Sequence, residues 1–301
     1  MTEISREEYD KMLSAPLEEK ILYSKELIRC WYDAWSGDVY VAISGGKDST
    51  VLLDLVRTEY PHVQAMFANT GLKYPENLKI IHNTENVVTI RPRTTFEKVI
   101  DKYGYPVVSK SVADKIEKIR RASPKNENTV RLYLEGYDSK GNYRPKWMLP
   151  KKWKFLIDAP FKISEKCCYH LKKGPLRRYN KYRERGPIVG MTGLDSTIRK
   201  SHIRRRGCNF YDSGYPMSLP LSFWKEEDVW EYIKDRGLEY SKVYDMGYDR
   251  TGCMFCMFGV HMEDKPNRFQ LMKETHPKHW SYCMNKLGLK EVLDYIGEPY
   301  E

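Results

Sequence analysis

Residues 39–56 read VYVAISGGKDSTVLLDLV. The β-branched run from Val39 to Ile43 predicts a buried strand, and Val51, Leu52, Leu55 and Val56 predict the apolar side of a following helix. Between them lies SGGKDS. Gly45 and Gly46 let the backbone take positive φ, so successive N–H groups can turn inward on an anion, and the helix adds its positive N-terminal end. Lys47 supplies a point charge, and Ser44 and Ser49 supply hydroxyl donors. An ordinary strand-to-helix turn needs only a glycine; six such residues in a row point to a phosphate site. Too few residues separate the glycines from Lys47 for the GxxxxGK[ST] loop.

The rest of the chain sets the frame. Its 301 residues can bury one substantial core with additions or two modest domains, and helical and strand-like periods alternate, which predicts an α/β fold. No apolar run reaches the ~18 residues needed to span a bilayer, and the polar, acidic start MTEISREEYDK is unlike a signal peptide, so a cytoplasmic protein with no membrane partner is expected. The net charge of +10 is uneven. Lys166, Lys172, Lys173, Arg177, Arg178, Lys181, Arg183 and Arg185 form one basic stretch, and Arg199, Lys200, Arg204, Arg205 and Arg206 form another. Solvated surface is the default for such runs; a nucleic acid, a nucleotide or an acidic partner protein is the alternative. Seven cysteines in a cytosolic chain argue for metal, redox or burial roles over a disulfide framework.

Three segments are expected. Residues 1–35 predict helices split by Pro16, with Ser5 as N-cap and Glu8 completing a capping box. Residues 36–240 predict the nucleotide domain, with an irregular insertion at 122–150 where no period holds. Residues 241–301 hold the CxxC loop and a helical end. Strands are expected at HVQAMFANTG, NVVTIRP and 188–192, and helices at YPENLKIIHN, at TTFEKVIDKYG from Thr94 or Thr95, at SKSVADKIEKIRR and after Ser222.

SGGKDS resembles the PP-loop, SGGxDS, of the ATP pyrophosphatases and the phosphoadenosine phosphosulfate (PAPS) reductases. NTGLKYPEN is similar to their DTGxxFPET element with Asn69 in place of Asp, TGLDSTIRK resembles their TGLR stretch, and PLSFWKEEDVWEYI resembles their PLxxWxxxDVWxYI segment. The resemblance implies an adenine nucleotide alpha hydrolase-like fold, a parallel sheet sandwiched by helices. It also implies that ATP, or adenylylsulfate (APS) or PAPS, is bound by Ser44, Gly45, Gly46, Lys47, Asp48, Ser49, Asn69, Thr70, Gly71, Gly193, Ser196 and Arg204. Lys47, Asp48 and Arg199 are the catalytic candidates, Asp48 being the carboxylate nearest an expected Mg²⁺.

Cys167 and Cys168 are adjacent, and Cys253 and Cys256 form CxxC. A CxxC loop can bind zinc, carry an exchangeable disulfide or ligate an iron–sulfur cluster. Adjacent side chains of an extended segment point apart, so they suit two irons of a cube better than one tetrahedral ion. The spacing of CC, 84 residues and CxxC resembles the 4Fe-4S signature of the assimilatory APS reductases, with Lys166 and Arg250 as complementary positive charge. Those reductases also carry a mobile ECGxH thiol, whereas the last cysteine here, Cys283, lies in a stretch of helical period. Three functions stay open: ATP-dependent adenylation and sulfur transfer to an acceptor such as a nucleic acid, with a sulfur or electron donor protein; APS or PAPS reduction to sulfite; or a nucleotide-binding regulatory module.

Overall fold

The computed structural model describes residues 4–195, 197–211 and 214–301. Helices α1 (Arg6–Ser14) and α2 (Leu17–Ala34) lead into β1 (Val39–Ile43), α3 (Lys47–Glu59), β2 (Gln64–Ala68), α4 (Pro75–Asn83) and β3 (Val87–Ile90). Helix α5 (Phe96–Tyr103), β4 (Val107–Val108), α6 (Lys110–Arg120) and α7 (Glu127–Leu134) follow. Then come α8 (Gly174–Arg183), β5 (Gly186–Val189), α9 (Thr197–Arg206), β6 (Asn209–Phe210), β7 (Met217–Ser218) and α10 (Glu226–Arg236). Strand β8 (Met257–Phe258), α11 (Arg268–Thr275), α12 (Pro277–Ser281) and α13 (Leu289–Ile296) complete the chain. Among the described residues, no helix is long and apolar enough to cross a membrane.

The main sheet runs β3-β2-β1-β5-β7-β6, parallel throughout except for β6 against β7. Val41 pairs with Ala65 on one side and Ile188 on the other, all fully buried, because a strand covered on both faces must be apolar at every position. The chain moves outward in one direction from β1 to β3 and in the other from β5. The crevice of an open parallel sheet therefore falls at the carboxyl ends of β1 and β5, where SGGKDS and the Gly193 turn lie.

Two large cores flank this arrangement. One joins the sheet to α2, α3 and α10 through residues such as Trp31, Leu52 and Val229. The other is mostly helical and unites residues 72–171 with 243–300, so the 241–301 segment shares its core with the middle of the chain. The two-residue parallel pair β4–β8 sits within it. Val108 there has φ +62°, a left-handed conformation that costs a β-branched residue on the order of 1–3 kcal/mol, and its carbonyl accepts the Gly259 N–H at 2.8 Å.

Several local expectations change. Residues 122–150 contain α7, whose Tyr133 is buried; eight residues with Asn and Thr near the start give too short a period to read. Helix α10 is capped at Lys225, whose N–H donates to the Asp228 carboxylate at 2.6 Å, whereas the Ser222 hydroxyl donates to the Leu219 carbonyl. Strand β5 begins at Gly186 and ends at Val189, two residues ahead of the expected start. The Ser5–Glu8 capping box is formed, and Thr95 and Ser109 cap α5 and α6.

The stretch 151–161 is held by one side chain. Arg120 donates to the carbonyls of Leu156, Ile157, Ala159 and Phe161 at 2.6–2.8 Å. The carbonyls of Ile157, Ala159 and Phe161, which end this stretch without a backbone donor, thus find a charged partner, and that of Leu156 gains a second donor beside the Ala159 N–H.

Candidate functional site

The phosphate loop is built as its residues demand. Gly45 has φ +74° and approaches α4 so closely that a Cβ would lie 2.4 Å from the Asn77 carbonyl oxygen; the Asn77 amide in turn donates to the Gly45 carbonyl at 2.7 Å. The Ser49 hydroxyl donates to the Gly46 carbonyl at 2.8 Å and accepts the Ser44 N–H at 3.1 Å. The loop is therefore rigid before any ligand contributes.

The second half of the chain covers it. Tyr244 accepts the Lys47 N–H at 3.0 Å, at the N-terminus of α3, and its hydroxyl lies 3.3 Å from that of Thr251. Thr251 packs on Gly46, where a Cβ would come within 2.6 Å of its hydroxyl oxygen. The Lys47 ammonium is buried. It donates to the Asp249 carbonyl at 3.0 Å, pairs with Glu226 at 3.0 Å, and lies 4.9 Å from the Tyr244 ring centroid and 5.7 Å from that of Trp230. Burial works against its charge, yet Tyr244, Glu226 and Asp48 more than offset it, and its pKa lies above the usual lysine value. Asp48 is half-buried beside this group.

The turn after β2 forms the next wall. Asn69 accepts the Gly71 N–H at 3.0 Å and Thr70 accepts the Leu72 N–H at 3.3 Å, so the amide oxygen of Asn69 serves the turn as a carboxylate would. Asn69, Thr70 and Gly71 line a cleft of about 420 Å³ with Arg91, Thr95 and Phe255.

The cysteine loop leans on both turns. The Met254 N–H donates to the Leu72 carbonyl at 2.9 Å, and Lys73 donates to the Thr251 carbonyl at 3.3 Å. Arg268 holds the other side, donating to the Cys256 carbonyl at 2.9 Å and the Phe258 carbonyl at 3.3 Å while paired with Glu263. Cys167 and Cys168 come from the first turn of a helix that continues into α8, a correction to the extended segment expected; consecutive helical residues still point about 100° apart.

The four thiols lie within electrostatic reach of one another. A hydrogen bond between the two sulfurs, then burial and the charges of Cys168, Cys256 and Cys253, push the Cys167 thiol up. The same bond draws Cys168 down, with Lys110, Lys172 and Lys173 adding to the effect. Burial lifts Cys256 to about 12. Burial, then Lys172, depresses Lys73 to about 8. The positive charge around the thiols therefore comes from Lys73, Lys110, Lys172 and Lys173. Lys166 and Arg250, expected in that role, are paired with Glu117 and Glu263.

Among the described residues, no three His, Cys, Asp or Glu side chains are gathered as a site for a single metal ion. Four free thiols, Cys167 buried and Cys168, Cys253 and Cys256 half-buried, with lysines beside them, suit the donor chemistry of an iron–sulfur cube, whose corners spread their ligands wider than one ion does. A half-open pocket of about 280 Å³ lies beside Cys253, lined by Tyr74, Tyr248, Arg250 and Arg268 among others.

Gly193 is needed for packing, since a Cβ would run into the Tyr9 hydroxyl and within 2.8 Å of the Ser222 carbonyl oxygen. Arg204 donates to the Ile4 carbonyl at 3.3 Å, on the side of the N-terminal helices. Arg199 lies in the first turn of α9, and Ser196 falls outside the described residues. His170 stacks on Tyr103 and His261 packs edge-on against Trp153. Cys283 is fully buried on a helical turn, donates to the Trp280 carbonyl at 3.3 Å, and is pushed up to about 12 by burial.

A family model described as "Phosphoadenosine phosphosulfate reductase domain" matches residues 38–258. An adenosine 5'-phosphosulfate reductase of Staphylococcus epidermidis is 25% identical over 263 residues, 84% of this chain and 86% of that protein. An uncharacterised protein of Methanocaldococcus jannaschii is 24% identical over 281 residues, 91% of this chain and 46% of its own length. The solved PAPS reductase of Candida auris, in a phosphate complex, is 16% identical with a TM-score of 0.46, covering 84% of this chain and 97% of that one.

Proposed function

The chain belongs to the phosphoadenosine phosphosulfate reductase domain family, and on that premise we propose that it is a PP-loop enzyme that activates an acceptor with ATP and then transfers sulfur to it. The observation that carries this reading is the abutment of the cysteine loop on both nucleotide turns, through Met254 with Leu72, Lys73 with Thr251, and Thr251 with Gly46. A nucleotide phosphate at the loop and a sulfur reagent at the thiols would then share one end of the sheet.

In the first step an acceptor oxygen attacks the α-phosphorus of ATP, an O–P bond forms, the bond to the β-phosphate oxygen breaks, and pyrophosphate leaves with its electron pair. Loop amides and the Lys47 ammonium, released from Glu226, would stabilise the charge building on the departing group, and Asp48 would hold Mg²⁺. In the second step hydrosulfide attacks the activated carbon, a C–S bond forms, the C–O bond to the adenylate breaks, AMP leaves with its electron pair and the sulfur loses its proton to solvent. Cys167, Cys168, Cys253 and Cys256 would hold the 4Fe-4S cluster, which supplies redox or sulfur-handling chemistry when bound. Lys73, Lys110, Lys172 and Lys173 would neutralise its negative charge.

Sulfonucleotide reduction is the second reading, favoured by the identity to APS reductases over 84% of the chain. That chemistry needs a thiolate able to reach the sulfur of the substrate. Cys283, fully buried and pushed up to about 12 by burial, does not supply it. Anaerobically reconstituted protein given ATP and Mg²⁺ separates the readings. Pyrophosphate release supports adenylation, sulfite from APS or PAPS with thioredoxin supports reduction, and tight nucleotide binding without either product supports a regulatory module.

A further inference from the structure

The two basic stretches have different fates. On α9, Lys200 pairs with Asp10 of α1 at 3.0 Å and Arg204 is bonded to the Ile4 carbonyl, so that run is partly consumed by the N-terminal helices. The run through α8 is not. Lys172 and Lys173 serve the thiols, but Arg177, Arg178, Lys181 and Arg183 form no ion pair among the described residues.

Aromatic rings stand among these charges. The Arg177 guanidinium lies 3.8 Å from the ring centroid of Tyr215 and 5.5 Å from that of Tyr169, and both tyrosines are 44–45% exposed. Tyr169 directly follows Cys168, so the series Tyr169, Arg177, Tyr215 starts at the cysteines and leads away from them. It continues into an open groove of about 670 Å³ lined by Trp35, Arg178, Lys181, Arg185, Tyr215 and Pro216. Tyr182, 83% exposed, stands free on the same helix. Helix α8 is a firm platform, since Asn180 accepts the Tyr40 hydroxyl at 2.9 Å and the adjoining Arg185 is bonded to Gln64 and the Val39 carbonyl.

We propose that this face binds a single-stranded polynucleotide and presents it to the site at the cysteines. Unpaired cations suit a phosphate backbone, and exposed rings with a stacked guanidinium suit unpaired bases, which a duplex does not offer. An acidic protein would use the cations and leave the rings without a role. The inference deepens the reading above by naming the molecule that bears the acceptor, but its test needs no turnover.

The test is fluorescence anisotropy of the reconstituted protein with labelled oligo(U) and oligo(dT) of about 20 nucleotides, a duplex of equal length, and heparin and polyglutamate as competitors. Single strands bind more tightly than the duplex, and whichever of the two sugars binds better identifies RNA or DNA. With four phosphates contacted, affinity falls roughly 50-fold between 50 and 200 mM salt. Arg177→Lys keeps the charge and loses the planar stack, so it weakens single-strand binding about fivefold or more and leaves heparin binding unchanged. Tyr182→Ala, on an exposed side chain that the fold does not need, weakens it less.

Equal affinity for duplex, heparin and single strands, with no effect of Arg177→Lys, overturns the proposal in favour of a general polyanion surface. Preference for polyglutamate overturns it in favour of an acidic protein. If pyrophosphate release fails while oligonucleotides bind as described, the adenylation reading falls and this surface stands; the converse result removes only the surface.

Discussion

Removing one oxygen atom should change stability and nucleotide affinity in opposite directions. The N–H of Lys47, first residue of α3, donates to the Tyr244 hydroxyl at 3.0 Å. That N–H is one of the donors a phosphate at the loop would claim, so binding must displace the hydroxyl. Tyr244→Phe deletes the acceptor and keeps the ring over the Lys47 ammonium. A neutral hydrogen bond contributes about 1 kcal/mol net. The variant should therefore lose about 1 kcal/mol in urea unfolding and bind ATP about fivefold more tightly, since the bond no longer competes with the ligand. Calorimetric titration with a non-hydrolysable ATP analogue, beside unfolding of the free protein, measures both. Weaker binding would mean that Tyr244 holds the ligand itself. Unchanged affinity with reduced stability would mean that the α3 N-terminus is not where the phosphates sit. Either outcome refutes the reasoning.

Other consequences are open to test. Cys168→Ser and Cys253→Ser should each abolish iron retention and visible absorption after reconstitution, whereas Cys283→Ser should keep both; iron and sulfide analysis decides. Arg120→Ala strands the carbonyls of Ile157, Ala159 and Phe161 and should cost about 3–5 kcal/mol in urea unfolding, with Arg120→Lys recovering only part because an ammonium cannot span the set. The backbone N–H of Asn142 chiefly, then its side chain, Arg144 and the Lys140 N–H, lower the Asp138 carboxyl from 3.8 to about 2. A depressed carboxyl contributes stability that is complete above pH 3.8 and lost as pH falls towards 2, so the 138–144 turn should open in that window. Amide exchange of residues 138–144 reads the effect, and Asp138→Asn should remove its pH dependence.

Much of this architecture is local and therefore legible. The period change around SGGKDS marks β1, the loop and α3 because strand, glycine turn and helix are each specified by neighbouring residues. Ser5, Thr95 and Ser109 announce helix starts for the same reason. What escaped is long-range. The partners of Lys47 lie roughly two hundred residues away in YDMGYD, a stretch with no chemical signature of its own, and only tertiary packing makes Tyr244 and Asp249 part of the site. Nothing in the sequence separates the two basic runs; the ion pair of Lys200 with Asp10 does. Lys73 stood within NTGLKYPEN, and its position three residues beyond Thr70 was the available signal.

The division of the four thiols between two distant parts of the chain has a consequence for biosynthesis. Cys168 and Cys253 are separated by 84 residues, so at about 5–20 residues per second the first pair emerges from the ribosome about 4–17 s before its counterpart. The core that buries Cys167 also draws on residues 243–300, which means the earlier pair waits unsheltered in a nascent polypeptide. Oxidation during that interval would join neighbouring sulfurs and leave the finished enzyme unable to mature. Growth conditions, and not only the amino-acid sequence, would then set the active fraction of any preparation.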